Sequence, residues 1–256
     1  MDLGLSEARV VVTGGAGGIG AEICRAFAGE GAVVAAHYLS SGDAARSLAT
    51  EIGGLSIQAD LTDGDATDAM FASIIEELGG VDICVANAGR YPAEDSPIWE
   101  ISSERWRRTI DENLTTTFNT ARAFLQHASE TETGSLVLVG STAGSFGEAG
   151  SSDYAAAKGA INTGLLLSLK NEAARIGDGV RVNAVAPGWT VTPKREAAGV
   201  DQQSVDRATA TMARKQLGTP QDVARQVLLL ASDVASAHQT GQVVTVAGGM
   251  EGRLIP

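Results

Sequence analysis

Short apolar or β-branched runs recur along the chain, at Arg9–Thr13, Val33–Tyr38, Leu55–Ala59, Val81–Ala86, Ser135–Gly140, Val180–Ala186 and Gln242–Val246. They do not alternate polar and apolar positions, so they read as strands buried on both faces. Between them the apolar positions recur at helical spacing. Ile19, Ile23, Ala26 and Phe27 share one helix face, as do Val223, Val227, Leu230 and Ala231. Thr219-Pro220-Gln221-Asp222 reads as a helix start, with threonine as N-cap and proline at the first helical position. Strand and helix alternate along the whole length. That order predicts an α/β fold, a doubly wound parallel sheet with helices on both faces. No linker, repeat or low-complexity stretch interrupts it, so one domain over residues 1–256 is expected.

The unusual residues fall in the segments that follow strands. In doubly wound folds those segments lie at the carboxyl edge of the sheet, where ligands bind. Thr13-Gly14-Gly15-Ala16-Gly17-Gly18-Ile19-Gly20 follows the first strand and opens the first helix. Glycines let backbone approach a pyrophosphate closely, and the helix N-terminus supplies N–H donors and a positive dipole end. The turn therefore reads as a dinucleotide site, with Gly14, Gly18, Ile19 and Gly20 at the phosphates. Its spacing differs from GxGxxG, and an ordinary tight strand-to-helix turn is the structural alternative. Asp60, Asn87-Ala88-Gly89, Ser141 and Pro187-Gly188 follow later strands on the same edge.

Composition narrows the function. There are 19 basic and 31 acidic side chains, for a net charge of −12. That balance argues against a nucleic-acid partner, which needs a basic patch. Hydrophobic residues make up 44% and charged residues 20%, enough for a packed core. No apolar run reaches the roughly 18 residues of a membrane span. Met1-Asp2-Leu3-Gly4 lacks the basic start of a signal peptide, so none is expected. Cys24 and Cys84 read as buried reduced thiols, which fits a cytoplasmic protein. His37, His127 and His238 are scattered, and no metal site is expected.

Tyr154 and Lys158 are four residues apart in a helical run, which places both on one face. A phenol of ordinary pKa near ~10 is a poor base at neutral pH. A neighbouring ammonium favours the phenolate, which can then exchange a proton with an alcohol or carbonyl oxygen. Ser141 lies outside any Gly-x-Ser-x-Gly elbow, which argues against a serine hydrolase. Asn113 reads as mid-helix, where a solvent-facing polar residue is the plainer interpretation.

Taken together, these motifs resemble the short-chain dehydrogenase/reductases in their single-domain form of roughly 250 residues. The likeness runs from Arg9 to Gly249. It includes Thr13–Gly20, Asp60-Leu61, Asn87-Ala88-Gly89, Asn113, Ser141, Tyr154-x3-Lys158, Pro187-Gly188, Ala231-Ser232-Asp233, Thr240-Gly241-Gln242 and Gly248-Gly249. The resemblance implies a Rossmann-type, seven-stranded sheet in the order 3-2-1-4-5-6-7. It implies Tyr154 as general acid/base, and Lys158 as holder of the nicotinamide ribose and depressor of the tyrosine pKa. Ser141 would orient the substrate oxygen and Asn113 would support a water-linked proton relay. Asp60 would meet the adenine amino group, beside the Leu61 N–H. Asn87, Ala88 and Gly89 would pass under the adenosine ribose. Pro187, Gly188, Thr190 and Thr192 would face the nicotinamide end. A homotetramer is also implied; the small residues Ala155, Ala156, Ala157, Gly159 and Ala160 and the apolar tail Gly252–Pro256 fit one. Two positions depart from the pattern, Ala86 where Asn is common and Ala247 where Asp is common.

The implied activity is interconversion of a secondary alcohol and a ketone by hydride transfer with NAD(P). A non-catalytic dinucleotide-binding regulator is disfavoured by the complete Asn–Ser–Tyr–Lys set. A lyase or epimerase is disfavoured by the lack of a larger C-terminal substrate region. Tyr38 stands where an NAD-selecting Asp is common, so NADP is favoured, with NAD use expected as well. Ser40 and Ser41, with His37 and Gly42, would donate hydrogen bonds to a 2′-phosphate. The substrate loops are expected at 90–100, 142–152 and 189–213, with Tyr91, Trp99, Phe146 and Trp189 as aromatic candidates. Lys194 and Arg195 would attract an anionic substrate, although such residues are usually solvated surface charges.

Overall fold

Three consecutive valines show why the strands read as continuous apolar runs. Val10 and Val12 pack into one core cluster and Val11 into another, all with zero exposure. Successive side chains of a strand point to opposite faces, so a sheet covered on both sides needs apolar residues at every position. The computed structural model describes residues 2–197, 199, 202–250 and 252, with backbone only at 194, 195 and 204. The readings placed on the Lys194 and Arg195 side chains and on the tail at 253–256 lie outside the described residues.

The elements follow in the expected alternation. They begin β1 (Arg9–Val12), α1 (Gly18–Gly29), β2 (Val33–Tyr38), α2 (Gly42–Ile52), β3 (Leu55–Gln58), α3 (Gly64–Leu78) and β4 (Ile83–Ala86). A single 3₁₀ turn (Ile98–Glu100) precedes α4 (Ser103–Ile110), which continues through a π-helical turn (Asp111–Thr115) into α5 (Thr116–Thr131). Next come β5 (Thr133–Val139), α6 (Ala143–Phe146) and α7 (Ser152–Ala160), then a second π-helical turn (Ile161–Leu165) and α8 (Leu166–Ala173). The chain closes with β6 (Gly179–Pro187), α9 (Pro193–Ala197), α10 (Gln202–Thr209), α11 (Pro220–Ala231), α12 (Asp233–Ser236) and β7 (Val243–Val246).

All seven strands pair in parallel in one sheet, ordered β3-β2-β1-β4-β5-β6-β7. The order expected from the resemblance is the order found. The two π-helical turns are not among the elements expected from the sequence. On one side of the sheet Phe71, Ile74, Phe124 and Leu166 pack; on the other Ile23, Phe27, Val227 and Leu230. The predicted start of α11 is present as a capping box between Thr219 and Asp222, with Pro220 at its first turn. Among the described residues no helix is long and apolar enough to cross a membrane.

Candidate active site

The carboxyl edge of the sheet carries a cleft of about 350 Å³. The glycine turn forms one wall. Gly14 adopts φ +64° there, a conformation that favours glycine. A Cβ on Gly20 would stand 2.2 Å from the Gly14 carbonyl oxygen, so that position also requires glycine. The first intrahelical bond of α1 is made by the Ala21 N–H to Gly17 O. The N–H groups of Gly18, Ile19 and Gly20 precede it and line the cleft. Backbone donors at a helix N-terminus fit a pyrophosphate, and the Thr192 side chain packs against them at Gly18, where a Cβ would stand 2.6 Å from its Cγ2.

Asn87 fastens this wall from the next strand. Its Nδ2 donates to Thr13 O (2.9 Å) and Gly14 O (3.2 Å). The Thr13 hydroxyl oxygen accepts from the Asn87 and Ala88 N–H groups, each at 3.0 Å. Gly89 follows, and a Cβ on it would approach Asn113 Oδ1 to 2.7 Å.

Side chains form another wall. Asn113 is fully buried at the centre of the first π-turn. Its Nδ2 donates to Arg90 O and Thr109 O, both at 3.0 Å, and its Oδ1 accepts from the Arg90 N–H at 3.1 Å. The solvent-facing interpretation of Asn113 is therefore incorrect: the side chain ties the loop after β4 to α4. Lys158 is 4% exposed and donates from Nζ to Val139 O at 2.9 Å. Burial pushes its ammonium down to about 8. Nζ lies 5.8 Å from the centroid of the Tyr154 ring. Tyr91, on the loop after β4, meets that ring edge-on at 5.0 Å and accepts a hydrogen bond from the Ser151 hydroxyl. The Ser141 oxygen accepts from the Ala143 N–H at 3.1 Å, which leaves its own O–H to point elsewhere.

Beneath Tyr154 lies a buried ion pair that was not evident in the sequence. Asp153 has no exposure and pairs with Arg105 Nε at 3.0 Å; Thr109 donates to it at 2.8 Å. Burial opposes its charge, yet Arg105 and Thr109 hold the carboxyl below the usual range. Asn162, in the second π-turn, donates to Ser141 O (2.8 Å) and Ser145 Oγ (3.1 Å). The small residues of α7 have a use within the chain: a Cβ on Gly144 of α6 would stand 2.5 Å from the Gly159 N.

Of the residues singled out from sequence, the cleft is lined by Gly14, Gly18, Ile19, Gly20, Asn87, Ala88, Gly89, Asn113, Ser141, Tyr154, Lys158, Pro187, Gly188, Thr190 and Thr192. Tyr91, Glu148 and Trp189 join them, whereas Trp99 is 82% exposed on the 3₁₀ turn outside the cleft. Tyr38, Ser40, Ser41, Gly42, Asp60, Leu61 and Phe146 lie outside it. Tyr38 ends β2 and Ser40 is exposed just beyond. Asp60 accepts from the Thr62 hydroxyl and amide, which lower its pKa in that order. The Leu61 side chain is buried in the core. His37 requires a correction. It is 3% exposed, and both ring nitrogens bond within the protein, so it cannot donate to a 2′-phosphate.

Fold and cleft together define a Rossmann-type α/β protein with its ligand edge at the strand ends. The comparisons narrow that class. The family model described as enoyl-(acyl carrier protein) reductase matches residues 14–251. A cis-4-hydroxycyclohexanecarboxylate dehydrogenase of Sinomonas cyclohexanicum is 36% identical over 95% of this chain and 96% of its own. A 3beta-hydroxysteroid dehydrogenase of Eggerthella lenta is 37% identical over 94% and 92%. A 3-oxoacyl-(acyl-carrier-protein) reductase of Vibrio harveyi is 34% identical over 94% and 96%. The chain belongs to the short-chain dehydrogenase/reductase family and is an NAD(P)-dependent oxidoreductase.

Proposed function

We propose that this enzyme interconverts a secondary alcohol and a ketone, with Tyr154 as general acid/base and NADP(H) as preferred carrier. The observation that carries this reading is the meeting of Asn113, Ser141, Tyr154 and Lys158 in the one cleft that the glycine turn also lines. The bound dinucleotide would supply or accept the hydride. Tyr154 holds the proton at its Oη and exchanges it with the substrate oxygen. Lys158, still charged at neutral pH, favours the phenolate. Ser141 has its oxygen committed to the Ala143 N–H, so its hydroxyl hydrogen is the part offered to the substrate. The amide of Asn113 is engaged at Arg90 and Thr109. Its relay role therefore rests on positioning the loop that frames the substrate.

The three relatives' names support the substrate class: a ring alcohol, a steroid alcohol and a 3-oxoacyl group each present a secondary carbinol or ketone. Tyr91 and Trp189 supply aromatic surface beside Tyr154 in this reading. NADP is supported by a residue that sequence reading passed over. A Cβ on Gly42 would lie 3.0 Å from Arg46 Nη1 and 3.3 Å from Tyr38 Cε2. The Arg46 guanidinium thus folds back over the first turn of α2, beside Tyr38, although Asp43 pairs with it at 2.6 Å. Cys24 and Cys84, both free and buried, support a reducing cytoplasm. A homotetramer is proposed from family resemblance, and a light-scattering mass equal to one 26.2 kDa chain would refute it. The test of function is a panel of cyclic and acyclic secondary alcohols and ketones, followed by nicotinamide absorbance with each dinucleotide. Turnover of at least one, with kcat/KM higher for NADP(H), is the expected result. No turnover of any member would refute the reaction, and a preference for NAD above about tenfold, ~1.4 kcal/mol, would refute the carrier.

A further inference from the structure

His37 is the penultimate residue of β2, and its ring lies between the glycine turn and the segment after β3. The Gly14 N–H donates to His37 Nδ1 at 3.0 Å. His37 Nε2 meets the Ala59 carbonyl oxygen at 3.0 Å. The tautomer follows from these partners. An amide N–H can only donate, so Nδ1 carries a lone pair; a carbonyl can only accept, so Nε2 carries the proton. The ring is neutral in this arrangement. The backbone of the same residue adds a third tie, because the Gly15 N–H donates to His37 O at 2.8 Å. His37 therefore fixes the two glycines on which the shape of the turn depends, and anchors them to the end of β3.

We propose that His37 is the positioning residue of the dinucleotide turn, and that it holds the turn only in its neutral form. The proposal rests on the assignment of the Gly14–Gly20 turn to the cofactor phosphates. Protonation at Nδ1 would set a donor against the Gly14 N–H. The bond would be lost and two N–H dipoles would face each other at the point where the chain enters φ +64°. The turn would have to open, and the N–H groups of Gly18, Ile19 and Gly20 would lose their common aim.

The surroundings keep the ring neutral near pH 7. Burial lowers the His37 pKa from its ordinary 6.5, against the raising effects of the Ala59 carbonyl and the Asp60 charge. Asp60, on the loop after β3, is the charged group that acts on it. From the β1–α1 side it faces the backbone amide of Gly14. The sign follows. A base whose folded pKa is lowered keeps its contribution above the unfolded value, and the contribution is lost as pH falls below it. The stability this ring lends the fold is therefore lost from 6.5 downward, whereas dinucleotide affinity weakens as pH falls through the lowered pKa of the folded ring.

The test is calorimetric titration of NADP⁺ and NAD⁺ from pH 8 to 5 on the wild type, His37→Asn and His37→Gln. Asparagine Oδ1 can occupy the place of Nδ1 and accept from Gly14, but it does not titrate. Glutamine reaches towards Ala59 and leaves Gly14 without an acceptor. The wild type should weaken on acidification, and His37→Asn should bind within a few-fold of it at pH 8. The ratio of the two constants cancels titration of the ligand itself, and should drift towards the asparagine variant as pH falls. His37→Gln should bind about tenfold more weakly at pH 8, the effect of one lost hydrogen bond. Thermal melts at each pH establish that the compared proteins are folded. A ratio that stays flat from pH 8 to 5, or a glutamine variant equal to wild type, would overturn the proposal. Absence of binding by either dinucleotide at any pH would overturn the assignment of the turn as well.

Discussion

The two walls of the cleft are made of different materials. The turn from Thr13 to Gly20 presents backbone: amide N–H groups, a left-handed glycine, and positions where a Cβ would collide with Gly14 O or Ala36. The lining from the π-turn after α4, from α7 and from the segment after β5 presents side chains, held by neighbouring backbone or by a buried ion pair behind them. Asn113 grips Arg90, Asp153 grips Arg105, and Lys158 grips Val139 O. The first wall suits a ligand that is the same for every reaction, because backbone donors recognise phosphate without regard to what is attached to it. The second suits chemistry, because only side chains titrate near neutral pH, and their protonation is set by burial and neighbours. The difference carries an energetic consequence. Glycines at the turn cost little in the folded state, whereas a buried ammonium is opposed by desolvation.

The largest effects should come from separating the two walls. Tyr154→Phe is expected to lower kcat by about 10² to 10⁴ while the dinucleotide Kd stays within about twofold. Stopped-flow turnover and calorimetry measure the two, and near-wild-type kcat would remove Tyr154 from the mechanism. Lys158→Met should also abolish turnover and should weaken dinucleotide binding. Yet its melting temperature at pH 7 should be no lower than that of the wild type. Burial holds Lys158 near 8 against an ordinary 10.5, so its charge destabilises the fold fully below about pH 8, and the effect fades towards 10.5. Removing the charge offsets the loss of its bond to Val139 O. A melting temperature several degrees lower would mean that the buried cation stabilises the fold.

On the other wall, Gly20→Ala should leave kcat at saturating cofactor within a few-fold but raise the dinucleotide Kd by about tenfold or more. Its methyl group must displace Gly14 O, and overpacking of this kind costs about 1–3 kcal/mol. An unchanged Kd would show that the turn yields without losing its aim. The smallest effect belongs to cofactor choice. Arg46→Ala should lower the ratio of kcat/KM for NADP to that for NAD by about two- to fivefold, since an exposed guanidinium acts through water and already shares its charge with Asp43. A ratio that does not move would place 2′-phosphate recognition elsewhere.

Much of this molecule is settled by local pattern. Every strand was legible to within two residues at either end, because a strand buried on both faces must be apolar throughout and few other segments are. Even the start of α11 was readable, since Thr219, Pro220 and Asp222 act within one turn. The glycine turn and the Tyr154–Lys158 pair were legible for the same reason: their geometry is set by spacing along a single element. What could not be read was each contact that crosses between elements. His37 pointed to a phosphate by sequence adjacency to Ser40, yet parallel pairing of β2 with β1 and β3 sets its ring between Gly14 and Ala59. Asn113 read as a solvated residue because it stands mid-helix, where a polar side chain faces water unless another element covers it, and only the fold brings the Arg90 backbone within its reach. Arg105 and Asp153 are 48 residues apart in the chain and meet only because α4 packs on α7. Sequence by itself determined the strands, their order in the chain and the residue types the chemistry needs. Tertiary structure decided which polar groups are buried together, and so which of them are held neutral, held charged or held in place. Desolvation and hydrogen-bond geometry depend on neighbours in space, and those neighbours exist only once the sheet has assembled.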